Sequence, residues 1–195
     1  MSGETTGLDN GFVKEAEEIL QGGKVLIDEP MSKHTGFRTG GPADYFLTVN
    51  STELLKKIIT LAFKKEITYY ILGNGSNMLV SDEGFRGVII RLKAEPELDF
   101  GPKNDSGETI VTASAGCSLA KLANEAASKG LAGLEFAAGI PGTVGGAVVM
   151  NAGAYGGEIK DCIIGAQLLF VSCGDLGIGF NRIDNLNQLR CGLLN

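Results

Sequence analysis

Between positions 10 and 21 apolar residues recur at helical spacing (Phe12, Val13, Ala16, Ile19, Leu20) among acidic ones, and Gly22-Gly23 follows. The period predicts an amphipathic helix with a glycine stop. A second helix is expected over 52–65, TELLKKIITLAFKK, with Leu54, Leu55, Ile58, Ile59 and Ala62 on its buried face and Asn50 or Ser51 as cap. A third, 119–129, has Ser118 before it and Gly130 at its C′ position. Short apolar runs at 43–49, Tyr69–Leu72, 88–92 and Thr109–Ala113 read as strands, the last preceded by a polar, turn-rich link at 102–107. Strand and helix are intermixed, so the class is α/β or α+β with two small lobes. Element order alone does not fix the topology.

Two stretches fit neither period. GNGSN (73–77) follows a strand candidate, and residues 69–81 carry no charge. Glycines permit positive φ and close approach of main chain to a ligand. Successive amides in such a turn make a concavity for an anion. A plain strand-to-turn connection is the bland alternative. The second stretch, IPGTVGGAVVMNAGAYGG (140–157), holds many glycines, and residues 131–157 carry only the charge of Glu135. Either it packs helices closely or it offers main chain as a surface; Thr143, Asn151 and Tyr155 among the glycines favour the surface.

Composition narrows the chemistry. The 195 residues are 44% hydrophobic and 21% charged, which is ordinary for a folded globular chain. A net charge of −6 without a Lys/Arg block argues against nucleic acid, and no apolar run is long enough to span a membrane. The N-terminus lacks the basic and apolar regions of a secretory signal. Four cysteines without CxxC spacing give no disulfide framework and no metal site, so a cytoplasmic setting is expected. The single histidine, His34, would have to serve any Ser-His or Cys-His system; a structural hydrogen bond near the Arg38 turn is the better expectation. GNGSN is not GxGxxG and no GxxxxGK[ST] occurs, so the Rossmann and P-loop readings fail. Any bound phosphate must be balanced mainly by backbone dipoles, with Arg38 of GFRTGGP the nearest cation in sequence. Such a surface suits a large ligand that is partly anionic and partly flat, such as a dinucleotide with an aromatic ring system.

Three blocks, HTGFRTGGPADYF (34–46), YYILGNGSNMLVSDEGFRGVII (69–90) and GLEFAAGIPGTVGGAVVMNAGAYGGEI (133–159), resemble the N-terminal FAD-binding region of the UDP-N-acetylenolpyruvoylglucosamine reductase (MurB, UDP-N-acetylmuramate dehydrogenase) family. The resemblance covers roughly residues 10–161, in family order and spacing. It implies an α+β, two-lobed FAD-binding domain of the vanillyl-alcohol oxidase/PCMH type, with FAD held non-covalently between lobes of roughly 1–95 and 96–161. Covalent attachment through His34 or Cys117, known elsewhere in that superfamily, is not implied. Gly73, Asn74, Gly75, Ser76 and Asn77 would wrap the pyrophosphate, with Arg38 near them. Ala138, Gly139, Pro141, Gly142, Thr143, Gly145, Gly146 and Ala147 would continue the cradle. Asn151, Gly153 and Ala154 would approach the flavin. The family's reaction uses NADPH to reduce FAD, then passes a hydride to the enolpyruvyl double bond of a UDP-sugar while an acid protonates the next carbon. The setting implied is peptidoglycan synthesis and cell wall biogenesis, hence cell shape and cell division.

The chain departs from the family past residue 161. The catalytic arginine of the family lies in G-[FY]-G-Y-R-x-S; the nearest match here is GIGFNR (177–182), which makes Arg182 the candidate. Asn181 precedes it and no serine stands two residues after it. The proton-donating serine and the late glutamate of the family have no counterpart, and its substrate-binding domain is absent. Residues 162–195 contain no lysine or glutamate and read as an atypical tail. The expectation is therefore a chain that holds FAD with little or no turnover. A stand-alone, non-catalytic flavin-nucleotide module is the other reading.

Overall fold

The computed structural model describes residues 10–93, 97–172 and 175–182. The chain forms two compact units, Met1–Lys93 and Ala94–Asn195.

The first unit contains α1 (Asn10–Leu20), β1 (Leu26–Pro30), a 3-10 turn (Met31–Lys33), β2 (Pro42–Val49), α2 (Thr52–Lys64), β3 (Tyr69–Leu72) and β4 (Phe85–Leu92). Its sheet runs β1-β2-β4-β3, with β1 antiparallel to β2 and β4 parallel to both β2 and β3. A strand between two parallel neighbours is covered on both faces and reads as a continuous apolar run. In β4, Val88, Ile89 and Ile90 are all fully buried. Ile89 joins Met31, Ala43, Phe46 and Leu72 on one face, and the alternating direction of strand side chains sends Val88 and Ile90 to the other. α2 starts where Ser51 Oγ accepts from the Leu54 amide, and buries Leu55, Ile58, Ile59 and Ala62. α1 inserts Phe12 beside Tyr45, ring centres 5.0 Å apart.

The second unit contains β5 (Leu98–Lys103), β6 (Thr109–Ala113), α3 (Leu119–Ser128), a 3-10 turn (Glu135–Ala137), α4 (Val144–Met150), β7 (Gly153–Ala154), β8 (Gly157–Glu158), a further 3-10 turn (Ile159–Asp161), β9 (Gly165–Ser172) and β10 (Asp175–Arg182). The strands pair as three antiparallel hairpins, β5-β6, β7-β8 and β9-β10. Leu119, Leu122, Ala123, Phe136, Ala137, Ala147 and Ile159 form its core.

The helices and four strands anticipated from periodicity are present. Others were not foreseen. β1 is five residues with Asp28-Glu29 in the middle, and β5 carries Gly101 and runs into Pro102 and Lys103, which read as the start of the link. The largest difference is α4. VGGAVVM has two glycines, poor helix formers, in its first turn, yet it is helical. Tertiary bonds hold its first turn: the Thr143 hydroxyl caps the Gly146 amide, Val144 N donates to Cys117 O at 2.8 Å, and Gly145 N to Ala115 O at 2.9 Å. A Cβ on Gly145 would sit 2.9 Å from that of Ala115, so the glycine is needed for the approach.

Ile89→Ala would leave a cavity at the centre of the first sheet and cost roughly 2–5 kcal/mol. Ile110→Ala, at a site 61% exposed, would cost well under half as much. Urea unfolding of the two variants measures the contrast.

Candidate functional site

In the first unit the chain brings two distant sequence blocks together. Residues 34–38 and 73–77 meet main chain to main chain: the Gly36 amide donates to Gly75 O at 2.8 Å. Gly75 is buried and left-handed at φ +65°, and a Cβ there would collide with the carbonyl of His34. No L side chain fits. Among the described residues the amides of Gly73, Asn74, Gly75 and Asn77 donate to no protein acceptor, and the side chains of Asn74 and Asn77 are exposed and unbonded. An unpartnered amide in a buried residue asks for a ligand or water. Arg38 lies two residues beyond the contact, exposed and at φ +55°, its amide bonded to Thr35 O. Its guanidinium makes no ion pair or hydrogen bond among the described residues.

The turn that meets Gly75 is itself anchored. Thr35 Oγ1 donates to Thr39 O at 2.8 Å, while Met31 N and Ser32 N bond Gly41 O and Gly40 O. The His34 ring stacks on Phe46, centroids 4.0 Å apart and 19° from parallel. Its Nε2 is 2.9 Å from Glu29 Oε1, both side chains being nearly buried at 14% and 13% exposure. The structural hydrogen bond foreseen for His34 is this one. Burial pushes the Glu29 carboxyl up, but the bonds from His34 and Lys33 outweigh it and hold the group below its ordinary value. Glu29 itself gave no sequence signal, because its partner lies five residues on.

In the second unit the candidates separate into two sets. The amides of Gly139, Gly142 and Thr143 donate to no protein acceptor among the described residues. Those of Ala138, Val144, Gly145, Gly146 and Ala147 are all engaged within the fold, the last four in anchoring α4. The amide surface expected through Ala147 therefore narrows to 139–143, because the residues beyond it became a helix. Pro141 is exposed between the two free glycine amides.

Asn151 closes α4 in the left-handed conformation at φ +46°. Its amide nitrogen donates to Glu158 Oε2 at 2.7 Å and its oxygen accepts from Lys160 N at 3.0 Å. The side chain expected to approach a flavin is thus committed to a protein network. Lys160 and then Asn151 hold the Glu158 carboxyl below the usual carboxylate range, and Glu158 in turn raises Lys160. Glu158 and Lys160 were missed; an Asn at a helix C-cap followed by a short hairpin was the available signal. Gly153 and Ala154 lie in β7, paired with Glu158 and Gly157. Tyr155 and Gly156, both at positive φ, make the two-residue connection, as in a type I′ turn, with Tyr155 98% exposed. Arg182 is the last residue of β10, opposite Gly165. The rest of the expected tail, from 183, lies outside the described residues.

A mixed four-stranded sheet with a main-chain-lined loop at β3, and a second unit of hairpins around a glycine-opened helix, define a nucleotide-cofactor domain of the two-lobed flavoprotein class. Residues 43–176 match the family described as FAD binding domain, and the chain belongs to that family. Its sequence is 48% identical over 158 residues to the UDP-N-acetylenolpyruvoylglucosamine reductase of Clostridium botulinum, across 81% of this chain and 50% of that protein. The enzyme of the same name from Lachnoclostridium phytofermentans is 44% identical over 162 residues, across 83% and 52%. The crystal structure of UDP-N-acetylenolpyruvylglucosamine reductase (MurB) from Thermus caldophilus superposes with TM-score 0.59 at 37% identity, over 80% of this chain and 52% of that one. Cholesterol oxidase from Brevibacterium sterolicum, at 11% identity and TM-score 0.62 over 85% and 34%, shares the fold alone. The resemblance read from the three blocks is borne out, as is the vanillyl-alcohol oxidase/PCMH fold class. The chain spans about half the length of the curated relatives it matches.

The residues fit FAD. Four unbonded amides, a glycine whose missing Cβ makes the loop possible, and a free arginine in the adjoining turn suit a diphosphate.

The depressed Glu29 carboxyl stabilises the fold above its unfolded-state pKa, and that contribution is lost as pH falls through the lower folded-state value. Urea midpoints should show wild type exceeding Glu29→Gln near neutrality, with the gap shrinking as the solution is acidified. A gap independent of pH would contradict this.

Proposed function

We propose that the chain is the FAD-holding part of an NADPH-dependent oxidoreductase that reduces UDP-N-acetylenolpyruvoylglucosamine to UDP-N-acetylmuramate. The 48% identity to a reductase of that name across 81% of the chain carries this reading. The place of such an enzyme is cytoplasmic peptidoglycan synthesis, upstream of cell wall biogenesis, cell shape and division. Among the described residues no helix is long and apolar enough to cross a membrane.

Gly73, Asn74, Gly75, Ser76 and Asn77 hold the diphosphate through main chain, with Arg38 supplying the cation. Gly139, Gly142 and Thr143 offer further amides, flanked by Ala138 and Pro141. Gly145, Gly146 and Ala147 serve by anchoring α4, and Asn151, Gly153 and Ala154 by fixing the hairpin that carries Tyr155. Bound FAD supplies hydride transfer; the chain supplies binding, orientation and a fixed electrostatic field. Arg182 is the candidate for stabilising developing charge on substrate.

One departure favours a second reading, a flavin-nucleotide module without catalysis: Asn181 stands before Arg182, and Asp184 replaces the serine of the family pattern.

The purified chain should show flavin absorption bands that stay with the protein on gel filtration and separate from it after denaturation. Gly75→Ala forces a side chain into the left-handed region, costing about 1–2 kcal/mol, and onto a carbonyl as well; it should elute without the bands. Colourless wild-type protein that also fails to take up added FAD would refute the assignment. NADPH-dependent conversion of the enolpyruvyl substrate at a rate typical of the relatives would refute the second reading.

A further inference from the structure

The His34 side chain lies outside the set of groups just placed on the cofactor, yet it supports the wall on which Gly75 rests. Its ring is held on two sides, by the Phe46 face at 4.0 Å and by Glu29 Oε1 at 2.9 Å. Its own amide closes the 3-10 turn onto Met31 O at 2.8 Å. The carbonyl of the same residue occupies the space where a Gly75 Cβ would be, and two residues on the Gly36 amide bonds Gly75 O. Gly36 also packs on the backbone of Ser76, with Ser76 O at 3.1 Å from where a Cβ would stand. Side chain and main chain of one residue therefore link the core of the sheet to the turn of the loop.

We propose that His34 is a positioning residue for the diphosphate loop: the Phe46–His34–Glu29 arrangement fixes the 34–36 backbone and thereby aims the amides of 73–77. The proposal rests on the reading that this loop holds the diphosphate of FAD. A carboxylate held by two donors, His34 and Lys33, is an anchor whose geometry is set from both sides. Lys33 reaches Glu29 Oε2 at 3.3 Å from a side chain 62% exposed, so it is the looser of the two. Neutral His34 with its proton on Nε2 already makes the bond, so the anchor needs no change of charge. Preorganised donors gain their advantage by not having to reorganise when ligand arrives.

His34→Phe keeps a ring to stack on Phe46 and loses the N–H to Glu29; His34→Gln keeps a side-chain N–H; Glu29→Ala removes the acceptor. The dissociation constant of FAD for the apoprotein, read by quenching of flavin fluorescence, should rise about 10-fold in His34→Phe and in Glu29→Ala, a change of about 1.4 kcal/mol. The double variant should be no weaker than either single one, since both cut one interaction. His34→Gln should stay within about 3-fold of wild type. In apoprotein, exchange of the Gly36 amide, which bonds Gly75 O, should quicken in His34→Phe while Val88–Ile90 in β4 stay protected, a readout that general destabilisation would not produce. If wild type binds FAD and the three single variants bind it equally well, the positioning role is wrong and the flavin reading stands. If exchange quickens in β4 as much as at Gly36, His34 is only a fold residue. Wild type without affinity for FAD would overturn both.

Discussion

The His34 carbonyl stands in the place of a Gly75 side chain, and the Gly36 amide donates to the Gly75 carbonyl at 2.8 Å. Main chain packed on main chain at this distance leaves no room for substitution on the inner side. The amides of Gly73, Asn74, Gly75 and Asn77 have no internal partner among the described residues. A loop that used its N–H groups in the sheet could not offer them to anything else, and one without any internal bond would collapse or wander. One carbonyl bonded and four amides free is a compromise between order and availability. The parallel β3-β4 pair delivers the loop to its position, and the buried Val88-Ile89-Ile90 run keeps that pair in place.

The choice of neutral backbone over lysine has a physical reason. A Lys side chain carries much rotamer entropy and a strongly hydrated charge, both of which must be given up on binding. Amides fixed by a left-handed glycine have surrendered that freedom during folding. Arg38, the proposed cation, stands in a turn at positive φ, where backbone strain of about 1–3 kcal/mol is tolerated because Thr35, Thr39 and the Met31-Gly41 bond hold the turn from both ends. The segment has the uncharged character read from 69–81, and the cation proposed for it comes from a part of the chain thirty-odd positions earlier.

Much of this was legible in the residues. The amphipathic periods of α1 and α2 gave those helices and the Ser118 and Gly130 boundaries gave α3; Ser51, one of two cap candidates for α2, and Ser118 both cap. GNGSN was recognisable as an exposed main-chain turn because glycine, serine and asparagine have few other uses directly after a strand. What failed was context. The two glycines of VGGAVVM argue against a helix when propensity is summed locally, and the Ala115 and Cys117 carbonyls that overrule it lie nearly thirty residues away. β5 was hidden by Gly101-Pro102, acceptable in a two-stranded hairpin where Pro can sit at an edge. Glu29, Glu158 and Lys160 looked like solvated charges because a linear reading shows charge and not partner.

Asn151, Glu158 and Lys160 illustrate how a side-chain-poor segment is kept in shape. Residues 139–157 present little besides backbone, so the forces that fix them come from their borders. Upstream, the carbonyls of Ala115 and Cys117 accept from the first amides of α4, and Leu119 N donates to Gly142 O at 3.1 Å. Downstream, the Phe136 ring lies against Gly157 so closely that a Cβ would approach it at 2.9 Å, and Glu158 ties Asn151 to the end of the hairpin. Asn enters the left-handed region more readily than most residues, and at φ +46° Asn151 also gains two bonds. Replacing it with glycine would relieve the backbone but release the hairpin. The side chains around a main-chain surface are therefore under tighter constraint than their distance from any ligand would suggest, and they constrain it through geometry they share with the fold.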